Sequence, residues 1–236
     1  MKSNGYRAIF FDAGNTLLMP HPSVEEVCAE LLERHGMKAD MESIRRGTEL
    51  ANRHYEKRYW ADDTFWASEE QTQGLWLEMY DLLMQEVGVE ADSVEMGERL
   101  YAEFGEGHHW ATFPEVISTL QLLRERGLTL GIISNWDVRL PELCHQLGLS
   151  DYLDFIISSA AVGRIKPEPA IFEMALGRAG VCPEQAVHVG DHFYADVLGA
   201  RTVGITPVLL DRHGYAPHGD CEVIGGLDEL IPLLGF

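Results

Sequence analysis

No apolar run in this 236-residue chain approaches the roughly 20 residues that a membrane-spanning helix needs. Basic residues are scarce: 18 Lys and Arg stand against 38 Asp and Glu, a formal charge of −20. That deficit excludes nonspecific nucleic-acid binding, which rests on Lys and Arg neutralising phosphates. It also excludes attraction to an anionic membrane surface. The main consequence of the charge is solubility. For function it means that an anionic substrate needs a locally positive site, supplied by a metal, a lysine or helix N-termini. Cysteine is sparse too. Cys28, Cys144, Cys182 and Cys221 form no C-x-x-C pair and match no zinc spacing, so free thiols in a reducing compartment are expected. Cys28 and Cys144 fall on helical patterns and read as small core residues rather than nucleophiles. Repeats and low-complexity segments are lacking. The start, MKSNGYRAIFF, has too short an apolar stretch for a signal peptide. A cytoplasmic protein is expected.

What is present is the composition of a globular protein, 46% hydrophobic and 24% charged. The length suits one large domain, or one domain with a smaller one inserted. RAIFFDAGNTLLMP, residues 7–20, reads as a buried strand that ends on Asp12. Residues 22–104 then read as four helices without a strand. Ser23 with Glu26, and Ser68 with Gln71, have capping-box spacing, and Gly36, Gly88 and Gly105 sit at helix ends. An aromatic, acidic connection, YWADDTFWASEE, separates the second and third helices. From about Phe113 apolar strands (TLGIISN, DFIISS, AVHVGD, ITPVLLD) alternate with amphipathic helices. Such alternation predicts an α/β fold, a parallel sheet covered on both faces.

Sheets of this kind bind ligands at the carboxyl ends of their strands. Those ends carry Asp12, then Ser134 and Asn135, then Asp191. Alone, an aspartate at a strand end is most simply a turn or helix cap. Asp12 and Asp191 at neighbouring ends, however, would repel each other unless a cation sat between them. Their oxygens suit Mg²⁺, which takes one or two carboxylates plus a substrate phosphate. Asp196 would act from behind. Lys166, in GRIKPEPAIF, would neutralise Asp12 and an incoming anion. A carboxylate, a hydroxyl, a lysine and a metal pair suit phosphoryl transfer through an aspartyl-phosphate.

In this order FFDAGNTLL, GIISN, GRIKPEPAIF and HVGDHFYAD resemble the four motifs of the haloacid dehalogenase (HAD) superfamily, over residues 9–196. The resemblance implies a Rossmann-like HAD core, residues 1–20 and 108–236, with an all-helical cap of the subfamily I, C1 type at 21–107. It implies Asp12 as nucleophile, Ser134 as the hydroxyl that binds the phosphoryl group, and Lys166 as the cation that steadies it. Asn135, Asn15 and Thr16 fall at the substrate, Thr16 shaping the turn through a hydroxyl–backbone bond. Mg²⁺ would be held by Asp12, the carbonyl of Gly14, Asp191 and Asp196. The partner expected is a small-molecule phosphate, with no nucleic acid and no membrane, acted on by a monomer or homodimer.

One position departs from the pattern. Most phosphatases of the family carry D-x-D-x-T, and the second aspartate protonates the departing oxygen; here Gly14 stands in its place. That acid–base work is worth about 10²–10⁴-fold in rate. Three readings are open. The first is a Mg²⁺-dependent phosphatase whose leaving group needs little protonation, or whose cap supplies a substitute from His54, Arg58, Asp62 or Asp63. The second is a 2-haloacid dehalogenase-like hydrolase, which needs no such acid and no metal. The third is an interaction protein that keeps a weak site. A Gly14→Asp change is expected, on sequence alone, to help poor leaving groups depart.

Cap motion would need hinges, expected at residues 19–22 and 108–113. His108 and His109 read as linker rather than metal ligands. Trp60, Phe65 and Trp66 are placed either at the substrate or in the cap's own core. His213, His218 and Asp220 read as a surface turn.

Overall fold

A computed structural model describes residues 5–89, 92–215 and 221–235. The chain divides into two compact units, one of residues 1–19 and 112–236, the other of residues 20–111. It leaves the first unit within β2 (Leu18–Pro20) and returns within β3 (Trp110–Thr112), two short strands that pair and that the sequence pattern did not announce.

The first unit is built on a six-stranded, wholly parallel sheet. Its strands are β1 (Ala8–Phe11), β4 (Thr129–Ser134), β5 (Phe155–Ser158), β6 (Ala186–Gly190), β7 (Thr206–Leu210) and β8 (Glu222–Ile224), in the order β5-β4-β1-β6-β7-β8. Every residue of β1 is buried, as expected of a central parallel strand. Its neighbours are β4 on one side, with Phe11 opposite Ile132, and β6 on the other, with Phe11 opposite Val189. The chain order reverses at β1, and this switch point opens a crevice beyond the strand ends. Helices of this unit are α5 (Val116–Glu125), α6 (Leu140–Gln146), α7 (Ser159–Val162), α8 (Pro169–Ala179), α9 (Gly199–Thr202) and α10 (Leu230–Leu233). Ile171, Phe172 and Ala175 of α8 bury against Ala8, Phe10, Ile133 and Ile157 of the sheet.

The second unit contains α1 (Val24–Arg34), α2 (Met41–Ala61), α3 (Glu69–Glu86) and α4 (Ser93–Glu103). Ser23 and Glu26 close the capping box in both directions: Ser23 N donates to Glu26 Oε2 at 2.9 Å and Glu26 N to Ser23 Oγ at 3.3 Å. Val27, Leu31, Ile44, Leu83, Met96 and Leu100 form its core. Cys28 lies in the same core, and burial pushes its thiol up to about 12, which removes it as a nucleophile at neutral pH. Cys144 in α6 is buried with the same consequence. Phe65 and Trp66 are buried against Tyr55 and Trp76, so these two fill the interior of their own unit instead of meeting substrate. Trp60 is 68% exposed and packs edge-on against Tyr59.

Gly131, opposite Phe155 in the β4–β5 ladder, has no room for a side chain. A Cβ there would lie 2.3 Å from the Phe155 ring, which also packs against Phe10. Gly131→Ala should therefore cost about 1–3 kcal/mol through overpacking. A lower urea midpoint with an unchanged slope is the expected readout.

Candidate active site

Asp12, Ser134 and Asp191 stand at or just beyond strand ends, Lys166 lies between α7 and α8, and Asp196 lies in a helical turn after β6. Asp12 follows β1, and its N–H donates to Val189 O at 2.8 Å, which ties the first loop residue to β6. Ser134 closes β4, and its Oγ donates to Asp12 Oδ1 at 2.9 Å. Lys166 Nζ reaches the same Oδ1 at 2.5 Å and Asp196 Oδ1 at 2.6 Å. The lysine is 2% exposed. Burial alone would pull its pKa down, but the carboxylates of Asp12 and Asp196 outweigh that and hold the ammonium charged. Asp12 Oδ2 makes no hydrogen bond among the described residues.

Asp196 sits in a π-helical turn, Phe193–Leu198. The wider turn brings its carboxylate back toward the strand, where Oδ2 accepts from His192 N at 3.0 Å. Gly190 is required for this: a Cβ there would overlap the Asp196 carboxylate, 2.2 Å from Cγ. The glycine thus serves the close approach of that carboxylate. His188 Nε2 lies 2.8 Å from Asp196 Oδ1. Burial would raise the Asp196 pKa, but Lys166 and then His188 hold it well below the usual carboxylate range. Asp191 has no such partner. Burial, with the charges of Asp12 and Asp196, pushes its carboxyl up to about 7 against the pull of Lys166. One oxygen each of Asp12, Asp191 and Asp196 lies within 4.8 Å of the others. Three carboxylates and one ammonium meet here, an all-oxygen donor set that fits a hard divalent cation.

Asn135 turns its side chain to the backbone of Lys166: Nδ2 donates to Lys166 O at 2.9 Å, and Lys166 N donates to Oδ1 at 2.8 Å. The side chain thus positions the lysine, while the group expected to meet phosphoryl oxygens is the backbone N–H of Asn135. Thr16 is fully buried, yet its Oγ1 has no hydrogen-bond partner, so the expected hydroxyl–backbone bond is not made. Asn15 takes the left-handed conformation, φ 52°, which asparagine tolerates better than most residues. The turn of Asn15 and Thr16 is instead held by Arg212, whose Nε and Nη2 donate to their carbonyls at 3.1 and 2.8 Å. Arg212 also pairs with Glu115 at 2.6 Å and stacks 3.6 Å above the Phe113 ring. A cavity of about 390 Å³ opens here, bounded by Asn15, Asp191, Phe193, Arg212 and Tyr215.

Sequence reading missed His188 and Arg212. A histidine inside a strand buried on both faces was a signal for the first. The second lay in a segment read only as a surface turn. In that segment His213 stacks on Tyr215, while His218 and Asp220 lie outside the described residues. In the helical unit His54 and Arg58 both bond Glu78 Oε2, at 3.0 and 2.9 Å, and Asp62 accepts from Thr64 N. His109 pairs with Glu103 at 2.7 Å; Glu103, His108 and His109 bring potential ligand atoms within 4.8 Å, but Arg34 already neutralises that glutamate at 2.6 Å.

Residues 6–204 match the haloacid dehalogenase-like hydrolases, and the chain belongs to that family. It is 30% identical to the haloacid dehalogenase-like hydrolase domain-containing protein 3 of Danio rerio over 95% of this chain and 94% of that protein. Among solved structures, an HAD phosphatase from Thermococcus onnurineus is 29% identical over 97% of this chain and 98% of that one, with a TM-score of 0.67. A 2-haloacid dehalogenase from Pseudomonas syringae pv. Tomato DC3000 is 26% identical over 97% of both chains, with a TM-score of 0.65.

Two substitutions test these electrostatics. Lys166→Met strands Asp12 and Asp196 as buried charges and should cost about 3–5 kcal/mol in chemical denaturation. Asp191→Asn should do the opposite in metal-free protein. A carboxyl with a folded pKa near 7, above its ordinary 3.8, destabilises the fold increasingly as pH rises between those values. The Asn variant should match the parent near pH 3.8 and exceed it above pH 7. Partial exposure of Asp191 lets water screen the repulsion and holds the gain to about 1–2 kcal/mol.

Proposed function

We propose that this hydrolase is a Mg²⁺-dependent phosphohydrolase that acts on a small phosphorylated metabolite through an aspartyl-phosphate on Asp12. The observation that carries this reading is Asp191. It is the acid of the cluster without a protein cation, pushed up to about 7 by burial and then by the charges of Asp12 and Asp196. A buried like-charge cluster of this kind suits a site built to receive a cation. Asp12, Asp191, Asp196 and the Gly14 carbonyl are the groups proposed to hold Mg²⁺, which would supply positive charge for the phosphoryl oxygens.

The chain's own residues divide the remaining work. Ser134 and Lys166 fix Oδ1 of Asp12, so the carboxylate cannot swing away, and Oδ2 is left to attack phosphorus. The P–O bond to the leaving group breaks as the Oδ2–P bond forms, and the departing oxygen takes the electron pair. Lys166 remains protonated and offsets the charge. Water then cleaves the acyl phosphate to inorganic phosphate and regenerates Asp12. With glycine at position 14, no side chain there hands a proton to the leaving group. Substrates whose oxygen departs as an anion, such as acyl and aryl phosphates, fit this site best. We assign the helical unit, residues 20–111, the part of a cap that admits such small substrates and controls water.

The dehalogenase reading draws on the same glycine, since displacement of halide needs no acid. Asp191 argues against it, because a metal-free site has no use for an unneutralised carboxylate beside its nucleophile. Purified protein should hydrolyse para-nitrophenyl phosphate with Mg²⁺ and lose that turnover in EDTA. Asp12→Asn should lower kcat at least about 10³-fold. Metal-independent halide release from a 2-chloroalkanoate, without phosphatase turnover, would establish the dehalogenase reading instead. Failure on both substrates would leave a binding role.

A further inference from the structure

The loop after β4 carries a residue that no motif explains. Trp136 lies two positions beyond Ser134, as Gly14 lies two positions beyond Asp12, and β1 and β4 are adjacent parallel strands. The ring of Trp136 reaches across. A Cβ built on Gly14 would meet its Cζ3 at 3.1 Å and nothing else within 4 Å. Backbone conformation does not demand glycine here, because Gly14 is absent from the residues with positive φ. A Gly→Ala change at such a position ordinarily stabilises a protein through the unfolded chain. What stands in the way is the indole.

The indole sits on a pinned backbone. Trp136 N donates to Ser159 Oγ at 3.0 Å, and Ser159 Oγ and Ala160 N return hydrogen bonds to Trp136 O at 3.3 and 3.2 Å. The next residue, Asp137, is fully buried and takes Arg139 N, Nε and Nη2 at 2.9, 3.0 and 2.6 Å. With the backbone held this way, the few tenths of an ångström that a Cβ at position 14 asks for must come from the Trp136 side chain itself.

We infer that Trp136 is the specificity-determining residue of this site: its ring takes the space that an acid at position 14 would need, and so confines the enzyme to phosphate esters whose leaving group departs unprotonated. This rests on the phosphohydrolase reading above. It also corrects the expectation that Gly14→Asp alone would broaden the substrate range. The acid needs the ring removed first.

A double-mutant cycle tests the pair, with full-length protein carrying Gly14→Ala, Gly14→Asp, Trp136→Ala and each combination. Melting temperature is read first, because it does not depend on turnover. Gly14→Ala should lower Tm by about 4 °C or more in the parent and by less than half of that with Trp136→Ala. Then kcat/KM is compared for para-nitrophenyl phosphate and an alkyl phosphate, both with Mg²⁺. The ratio of alkyl to aryl turnover should rise at least tenfold in Gly14→Asp/Trp136→Ala and stay within about twofold of the parent in Gly14→Asp alone. Additive melting shifts, or an equal gain in Gly14→Asp alone, would overturn the role of Trp136 while leaving the phosphatase intact. A parent that turns over no phosphate ester, beside a strongly non-additive melting cycle, would overturn the phosphatase reading and keep only the packing.

Discussion

Everything at the strand ends depends on one buried ammonium. Lys166 Nζ stands between Asp12 and Asp196, and without it two desolvated carboxylates would face each other in the crevice. The surrounding structure can be read as support for that cation. Asn135 clamps its main chain from the end of β4, His188 shares the Asp196 carboxylate from inside β6, and Gly190 clears the space in which that carboxylate sits. The arrangement neutralises two acids and leaves Asp191 over. A site with one carboxylate too many for its own cations is biased toward binding another, which is how a strongly acidic chain can still receive a phosphate.

The second constraint is steric. A Cβ at position 14 would press on the Trp136 ring at 3.1 Å, and the proposed role of Trp136 extends that contact to an acid at this position. On the proposed function, electrostatics equip Asp12 with its cation, while packing at position 14 withholds a proton donor. On that reading substrate range would follow from the combination and not from either motif read alone.

Much of this was legible in the residues. Apolar strands alternating with amphipathic helices led to a parallel α/β sheet, and four motifs in order led to the family. Capping spacings at Ser23 and Ser68 marked helix starts that the structure contains. The illegible parts share a cause. Thr16, Asn135 and Phe65 have side chains whose chemistry suits several partners, and which partner they take is a matter of neighbours far away in the chain. Arg212 holds a turn 196 residues before it, and nothing local to Arg212 announces that.

The sequence by itself determined that Asp12, Ser134 with Asn135, and Asp191 would gather at the carboxyl ends of β1, β4 and β6, because periodicity and strand order leave those residues no other edge. It determined equally that position 14 has no acid. Only the tertiary structure decided which acid receives the lysine, which is left unneutralised, and why glycine stands at positions 14 and 190. Those outcomes turn on contacts of a few ångströms between residues such as Asp12 and Lys166, 154 positions apart, and such distances exist only once the sheet has packed.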